Sequence, residues 1–403
     1  MHNSWRFASA TQLVFGVGAV QQLGELVRRR GVRRLAMITD KALLGAGVVT
    51  PALDSLSKAG VEVAVFEDGQ PEPSLRVAEH AIQYSATFRP EAILGLGGGS
   101  NMDVAKAVAA VLSHGGSPRD YFGTDTVPAP VMPLICVPTT AGTGSEVTSA
   151  MVLNDTENQI KAAGLSEFLR PALALVDPEL TRSCPPQVTA DSGIDALTHA
   201  IESYTSVDYR ELSQRNPPGE TSPFSGCHPL GDCLAEKAIE LIGQYLVTAV
   251  NMPDDMAARE GMALAATLAA MSFSSCGVAL VHALEYPLGG ALHVSHGAGN
   301  GLLLPYVMRY NLPIRIARFA RIAQMLGQDI QGRTDRRAAE QAVEAIIQLK
   351  RDIGIPERLR DIGATAEMLP RFAEKTHAIQ RLLRVNPREP TEQDILDILQ
   401  AAL

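Results

Sequence analysis

The stretch EAILGLGGGSNMDVAKAVAAVLSHG, residues 91–115, reads as a short apolar strand, a turn of three consecutive glycines and the start of a helix. With no side chains at Gly97, Gly98 and Gly99 the backbone can approach an oxyanion closely. The helix that follows offers unpaired N–H groups and the positive end of its dipole, so the turn is built for a phosphate. Ser100 or Asn101 is expected to cap that helix. The same strand-then-helix rhythm extends outward. RLAMITD (34–40) and VEVAVFED (61–68) each precede a helix-length amphipathic run, and MPLICVPTT (132–140) and PALALVDPEL (171–180) add further strands. Alternation at this spacing predicts parallel βαβ units, a Rossmann-like α/β domain over residues 1–186. After Pro186 the β-branched runs fade and long apolar-periodic stretches take over, which predicts an all-helical domain over residues 187–403.

The glycine turn departs from the usual dinucleotide fingerprint. Gly95 and Gly97 begin G-x-G-x-x-G, but position 100 is Ser, and no strand-end acidic residue follows about twenty positions later. Asp40 instead ends a strand well upstream. If the first and third strands are neighbours, Asp40 can accept from a ribose hydroxyl and repel a 2′-phosphate, favouring NAD over NADP; the alternative is a strand-end Asp with no such role. A second segment, VPTTAGTGSE (137–146), sets the hydroxyls of Thr139, Thr140, Thr143 and Ser145 on a flexible turn suited to a cofactor's polar groups.

Composition narrows the function classes. The chain has 403 residues, 46% of them hydrophobic and 20% charged, the profile of a globular protein of two domains or one large unit. A net charge of −9 and the lack of a long basic block argue against nucleic acid as a partner. The densest basic patch, RRRGVRR (28–34), reads as a helix end whose cations complement the macrodipole. Five scattered cysteines without a CxxC argue for a reducing compartment, hence a cytoplasmic protein, and against a cysteine-bound zinc. The first sixteen residues lack the pattern of a signal peptide. Residues 261–284 carry no Lys, Arg, Asp or Glu, but they are rich in Ala, Ser and Gly and lack interfacial anchors; they are expected to form one fully buried helix rather than a membrane span. The Pro, Gly and Ser-rich run 207–232 is expected to be a long surface loop.

GIDALTHAIESY (193–204) keeps Asp195 and His199 four residues apart in an apolar, helix-prone run. On a helix they point the same way, as two metal ligands must. The alternative is that Asp195 pairs locally and His199 is a hydrogen-bonded core histidine. VHALEYPLGGALHVSHGAGN (281–300) supplies further imidazoles at His282, His293 and His296, and its Pro/Gly break can bring His282 and His296 to one ion. Three imidazoles and one carboxylate suit Fe(II), Zn(II), Co(II) or Ni(II), not Mg or Ca.

The segments FGVGAVQQLGELVRRRG, MITDKALL, GGGSNMDVAKAVA, PTTAGTGSE, GIDALTHAIESY and HGAGNGLLLPYVMRYN resemble, in order and spacing, those of the iron-containing (group III) alcohol dehydrogenases, over about residues 10–400. The resemblance implies an N-terminal Rossmann-like domain and an all-helical C-terminal domain, the dehydroquinate synthase-like architecture, with NAD(P) and a divalent metal in the cleft between them. It implies metal ligands Asp195, His199, His282 and His296, pyrophosphate on Gly97, Gly98, Gly99 and Ser100, and the adenosine ribose near Asp40. Thr139, Thr140, Thr143 and Ser145, and Lys161 in ENQIKAAG, would lie on the nicotinamide side. The implied activity is NAD-dependent oxidation of a small alcohol, or reduction of an aldehyde, by a homodimer or larger homo-oligomer. Where many members have HxxxHPLG, this chain has HALEYPLG, so Tyr286 takes the place of a histidine that relays protons. That departure and the Pro-rich run resemble the hydroxyacid–oxoacid transhydrogenase branch, which shuttles hydride between 4-hydroxybutyrate and 2-oxoglutarate. Further alternatives are a maleylacetate reductase-like enzyme and, in a different class, a dehydroquinate synthase-like lyase.

Overall fold

The computed structural model describes residues 4–157, 160–217 and 222–403. The chain divides into two compact units, one of Ala8–Cys184 and one of Met1–Phe7 with Pro185–Leu403. Residues 4–7, read from sequence as part of the first domain, therefore group with the helices. Trp5 explains why: its ring stacks on His228 with centroids 4.2 Å apart.

In the α/β unit the strands are β1 (Leu13–Phe15), β2 (Arg34–Ile38), β3 (Glu62–Phe66), β4 (Ala92–Gly97), β5 (Gly123–Thr124), β6 (Leu134–Pro138), β7 (Ala150–Asp155), β8 (Ile160–Leu165) and β9 (Leu173–Val176). Six form a sheet in the order β1-β9-β6-β4-β2-β3, parallel throughout. The remaining three form a small sheet, β5-β8-β7, in which β7 and β8 run antiparallel. The helices here are α1 (Leu23–Arg29), α2 (Lys41–Gly45), α3 (Thr50–Lys58), α4 (Leu75–Phe88) and α5 (Gly99–His114).

The central strands are apolar without interruption because both faces are covered: β4 and β6 are buried at every position. The two-residue period of β2 divides the core accordingly. Leu35 and Met37 join the side packed by α1 and α3, while Ala36 and Ile38 join the side packed by α4 and α5. From β2 the chain steps outward to β3 and returns to β4 on the other side of β2. That reversal opens a crevice at the carboxyl ends of β2 and β4, the place where doubly wound sheets bind ligands.

In the second unit every named element among the described residues is a helix. Its helices are α6 (Pro186–Thr205), α7 (Tyr209–Arg215), α8 (Pro229–Asn251), α9 (Met256–Cys276), α10 (Leu280–Leu292), α11 (His296–Asn311), α12 (Ile316–Met325), α13 (Asp335–Asp352), α14 (Leu369–His377), α15 (Gln380–Leu383) and α16 (Glu392–Ala402). α6 is the axis, packed by α8, α9 and α11. The run 207–232 is not a bare loop: α7 and the start of α8 lie within it, and its residues 218–221 are outside the described ones.

The charge-free run 261–284 is buried as expected, but it is two helices rather than one. α9 ends at Gly277, whose φ of 101° leaves the helical region, and a Cβ there would stand 2.9 Å from the Phe224 ring. The chain then bends by 104° into α10. No single helix among the described residues is long and apolar enough to cross a membrane.

Candidate functional site

In the α/β unit the two segments singled out in sequence meet. β4 and β6 are neighbours, and Thr139 N–H donates to Gly97 O at 2.9 Å. A Cβ on Gly99 would lie 2.7 Å from Thr143 Oγ1, and one on Gly98 would lie 3.7 Å from Thr140 Cγ2. Gly97 has a φ of 147°, which an L side chain rarely adopts. Gly99 is thus needed for the contact between the turns, and Gly97 for its backbone conformation, apart from any phosphate. The expected cap is corrected: Gly98 is the N-cap of α5 and no side chain caps it. Ser100 Oγ instead accepts from Glu72 N–H at 3.2 Å, while Asn101 turns toward Asp40. Uncapped first-turn N–H groups are the arrangement an anion requires.

Ser145, expected as a free hydroxyl donor, is buried and already engaged. Its Oγ donates to Asp103 Oδ1 at 2.7 Å and accepts from Lys106 Nζ at 2.7 Å. Lys106, fully buried on α5, also donates to Ser145 O and Ala150 O, so it ties the hydroxyl-rich turn to the helix after the glycines. Burial pushes the Lys106 ammonium down and the Asp103 carboxyl up, each against the attraction of the other. Both residues follow the glycine turn in sequence; without knowing that α5 faces the 139–146 turn, they read as an ordinary amphipathic pair. Lys161 sits opposite Asn154 between β7 and β8 and pairs with Glu72 at 2.9 Å; positions 158 and 159 of its motif lie outside the described residues.

The helical unit assembles the second cluster. Asp195 and His199, one turn apart on α6, are 2% and 5% exposed. His282 comes from the first turn of α10 and His296 opens α11. The His199 Nε2–Asp195 Oδ2 separation is 3.8 Å, and His282 Nε2 and His296 Nε2 lie 3.8 and 3.9 Å from Asp195 Oδ1. These distances are too long for hydrogen bonds. They sit just above the roughly 3.4 Å edge of a tetrahedron built from metal–ligand bonds of about 2.1 Å. His293, the other imidazole of that segment, is exposed at the end of α10.

The backing of the imidazoles also fits a cation. His282 Nδ1 donates to Glu202 Oε2 at 2.6 Å, and His296 Nδ1 donates to Glu285 Oε2. A carboxylate only accepts, so each pairing leaves an Nε2 lone pair aimed at Asp195, the pattern of carboxylate–histidine–metal sites. The Asn300 amide nitrogen lies 2.8 Å from Asp195 Oδ1 and 3.2 Å from Nε2 of both His282 and His296. Two amide hydrogens of Asn300 thus face three acceptors. Burial pushes the Asp195 carboxyl up, but the three imidazoles and the Asn300 amide outweigh it and hold the carboxyl below the usual carboxylate range. The His199 ring stacks between Phe273 and His282 at centroid distances of 4.1 and 4.8 Å.

Glu202, Glu285 and Asn300 escaped the sequence reading, although a signal for the first two was present. The chain carries HAIE at 199–202 and HALE at 282–285, and each glutamate backs the histidine of the next segment. Tyr286 follows Glu285, half-buried, with its ring centroid 6.1 Å from that of His296.

The model of the iron-containing alcohol dehydrogenases matches residues 10–178, and that of the family's C-terminal domain matches residues 225–403. This chain belongs to the iron-containing alcohol dehydrogenase family. It is an oxidoreductase acting on CH–OH groups. It is 34% identical over 390 residues to the NAD-dependent methanol dehydrogenase of Bacillus methanolicus, covering 97% of each chain. It is 36% identical to the 1,3-propanediol dehydrogenase of Klebsiella pneumoniae, covering 96% of each. Among solved structures, a 1,3-propanediol oxidoreductase superimposes with a TM-score of 0.93 at 35% identity, covering all of both chains. The parallel sheet and the helical C-terminal unit are the family's architecture.

Proposed function

We propose that this dehydrogenase converts a small primary alcohol and NAD⁺ into the aldehyde, NADH and a proton, and the reverse, with a divalent metal held by Asp195, His199, His282 and His296. The observation that carries the reading is that constellation, buried at Asp195, His199 and His282 and half-buried at His296, two of whose imidazoles are locked by carboxylates with Nε2 facing Asp195. When bound, the metal supplies Lewis acidity toward the substrate oxygen and the nicotinamide accepts or donates hydride. Glu202 and Glu285 hold the imidazole tautomers. Asp195 brings the negative charge that offsets a cation.

In the α/β unit, Gly97, Gly98, Gly99, Ser100 and the free N–H groups of α5 hold the pyrophosphate. Asp40 accepts from the adenosine ribose. Thr139, Thr140 and Thr143 face the cofactor's polar groups, with Ser145 anchoring their turn. Lys161 neutralises charge on the nicotinamide side. Tyr286, beside His296 where relatives of the HxxxHPLG type carry a histidine, holds or passes the hydroxyl proton of the substrate. Iron and zinc both suit a donor set of three nitrogens and one oxygen.

The test is a panel of short primary alcohols, diols, 4-hydroxybutyrate and aldehydes, each with NAD and NADP, followed by reduced-nicotinamide absorbance before and after complete metal removal. The expected result is net NADH release that chelation abolishes and Fe(II) or Zn(II) restores. Full turnover without metal overturns the metal-dependent reading. Turnover that requires an added 2-oxoacid, with no free NADH, places the chain with the transhydrogenases instead.

A further inference from the structure

Asp40 and Asn101 are far apart in sequence but are brought together by the pairing of β2 with β4. Asn101 lies in the first turn of α5, is 3% exposed, and its Nδ2 donates to Asp40 Oδ2 at 2.7 Å. The other carboxylate oxygen, Oδ1, accepts from Leu43 N–H at 3.0 Å and so caps α2. Asp40 is therefore held by two donors at right places in the crevice, one on each oxygen.

The Asn101 carboxamide has been given its own seat. A Cβ on Gly69 would stand 2.1 Å from Asn101 Oδ1, and a Cβ on Gly97 would stand 2.1 Å from Asn101 Nδ2. Glycine at both positions is thus a condition for this amide to lie where it does. Lone-pair counting shows what the clamp leaves open. An ionised carboxylate has about four acceptor sites. Two are taken by Leu43 and Asn101, and Asp40 is half-buried, so the other two remain within reach of a ligand that carries neighbouring hydroxyls. A ligand bearing a phosphate there would meet the fixed negative charge of Asp40; Asp68, which bridges to Asp40 in the backbone ladder, is paired with Lys41 at 2.6 Å, so that cation is spent and does not offset Asp40.

We propose that Asn101 is a positioning residue for cofactor choice: by pinning the Asp40 carboxylate it sets the preference for a ribose 2′-hydroxyl over a 2′-phosphate. The inference rests on the reading that Asp40 faces the adenosine ribose. An unpinned Asp40 can rotate its carboxylate away from a phosphate, whereas a pinned one cannot. Loss of Asn101 therefore weakens NAD and eases the exclusion of NADP together, which general loosening of the fold does not do.

The experiment is isothermal titration of the full chain with NAD and with NADP, for wild type, N101A, D40N and the double variant, each checked by thermal melting. N101A is expected to raise the Kd for NAD about tenfold, the scale of one hydrogen bond to a charged group, and to lower the ratio of NADP to NAD dissociation constants by at least that factor. In the D40N background the same substitution is expected to change the ratio by less than twofold, because Asn101 acts through Asp40. If N101A melts early, N101T, of nearly the same volume, makes the same test, because its hydroxyl stops one atom short of the amide nitrogen's place. An unchanged ratio in N101A and N101T, with D40N relaxed, overturns the role of Asn101 alone. An unchanged ratio in D40N overturns the assignment of Asp40 to the ribose, and this inference with it.

Discussion

Replacing Glu202 by Gln probes the candidate metal centre without touching a ligand. Its carboxylate accepts three hydrogen bonds: Oε1 from Val281 N–H at 2.6 Å, and Oε2 from Ala279 N–H at 2.9 Å and from His282 Nδ1 at 2.6 Å. A carboxamide has one oxygen to offer, so one side of this set must face an NH₂ group. If the NH₂ replaces Oε1, Val281 loses its acceptor in a buried site, a cost of about 1–3 kcal/mol. If it replaces Oε2, Ala279 loses its acceptor and the His282 ring is driven to the other tautomer, with Nδ1 accepting and Nε2 protonated. That ring no longer presents a lone pair toward Asp195. Both outcomes weaken metal binding, the first by loosening the start of α10 and the second by removing a ligand. Outer-shell losses of this kind cost about 10–100-fold in affinity. The assay is competition for Zn(II) or Fe(II) against a chromophoric chelator, with thermal melts of the metal-free and metal-loaded forms. Glu202→Gln is expected to lower the affinity within that range and to shrink the metal-induced rise in melting temperature. Wild-type affinity in the variant refutes the claim that this carboxylate sets the His282 tautomer.

A methyl at position 99, in G99A, would lie 2.7 Å from Thr143 Oγ1 and must displace the 139–146 turn by a few tenths of an ångström. NAD affinity measured by titration should fall about tenfold with little change in melting temperature, and unchanged affinity would separate that turn from the cofactor. Lys350 is 3% exposed on α13 and donates to Leu302 O at 3.0 Å; burial pushes its ammonium down from 10.5 to about 8. The folded state therefore disfavours the charged form, a cost of about 3 kcal/mol that is fully present below pH 8 and fades as pH rises through 10.5. Lys350→Met should raise the melting temperature by several degrees at pH 7, after allowing about 1 kcal/mol for the lost hydrogen bond. The gain should vanish by pH 10.5; a gain equal at both pH values would show that burial does not depress the Lys350 ammonium.

The fold was legible because its signals are local. The alternation around 91–115 and the loss of β-branched runs after Pro186 follow from periodicities that each segment carries by itself. The four candidate ligands stand out in the sequence too, Asp195 and His199 by their helical spacing, His282 and His296 by the Pro/Gly break between them and by the family's motif. What escaped depended on contacts between segments. Glu202 is an unremarkable polar residue on α6 until α10 brings its first turn against it, and Lys106 reads as an amphipathic helix lysine until the 139–146 turn closes over it. The break in the apolar run 261–284 was missed for the same reason. Gly277 is one of many small residues there, and Phe224 and Val385, from distant segments, show why that one must lack a side chain.

The two glutamate–histidine pairs have a consequence for how the centre comes into being. α6 carries the carboxylate that orients His282 on α10, and α10 carries the one that orients His296 at the start of α11. Each of these two imidazoles is thus oriented by the helix that precedes it in the cluster, like links closed in sequence. A fragment lacking α6 would hold His282 and His296 yet leave the first of them unoriented, so transplanting the four ligands alone into another scaffold should fail. Conversely, if the proposed centre takes up a metal, stoichiometric uptake would report that α6, α10 and α11 have docked in register, and the ion would stabilise only that arrangement.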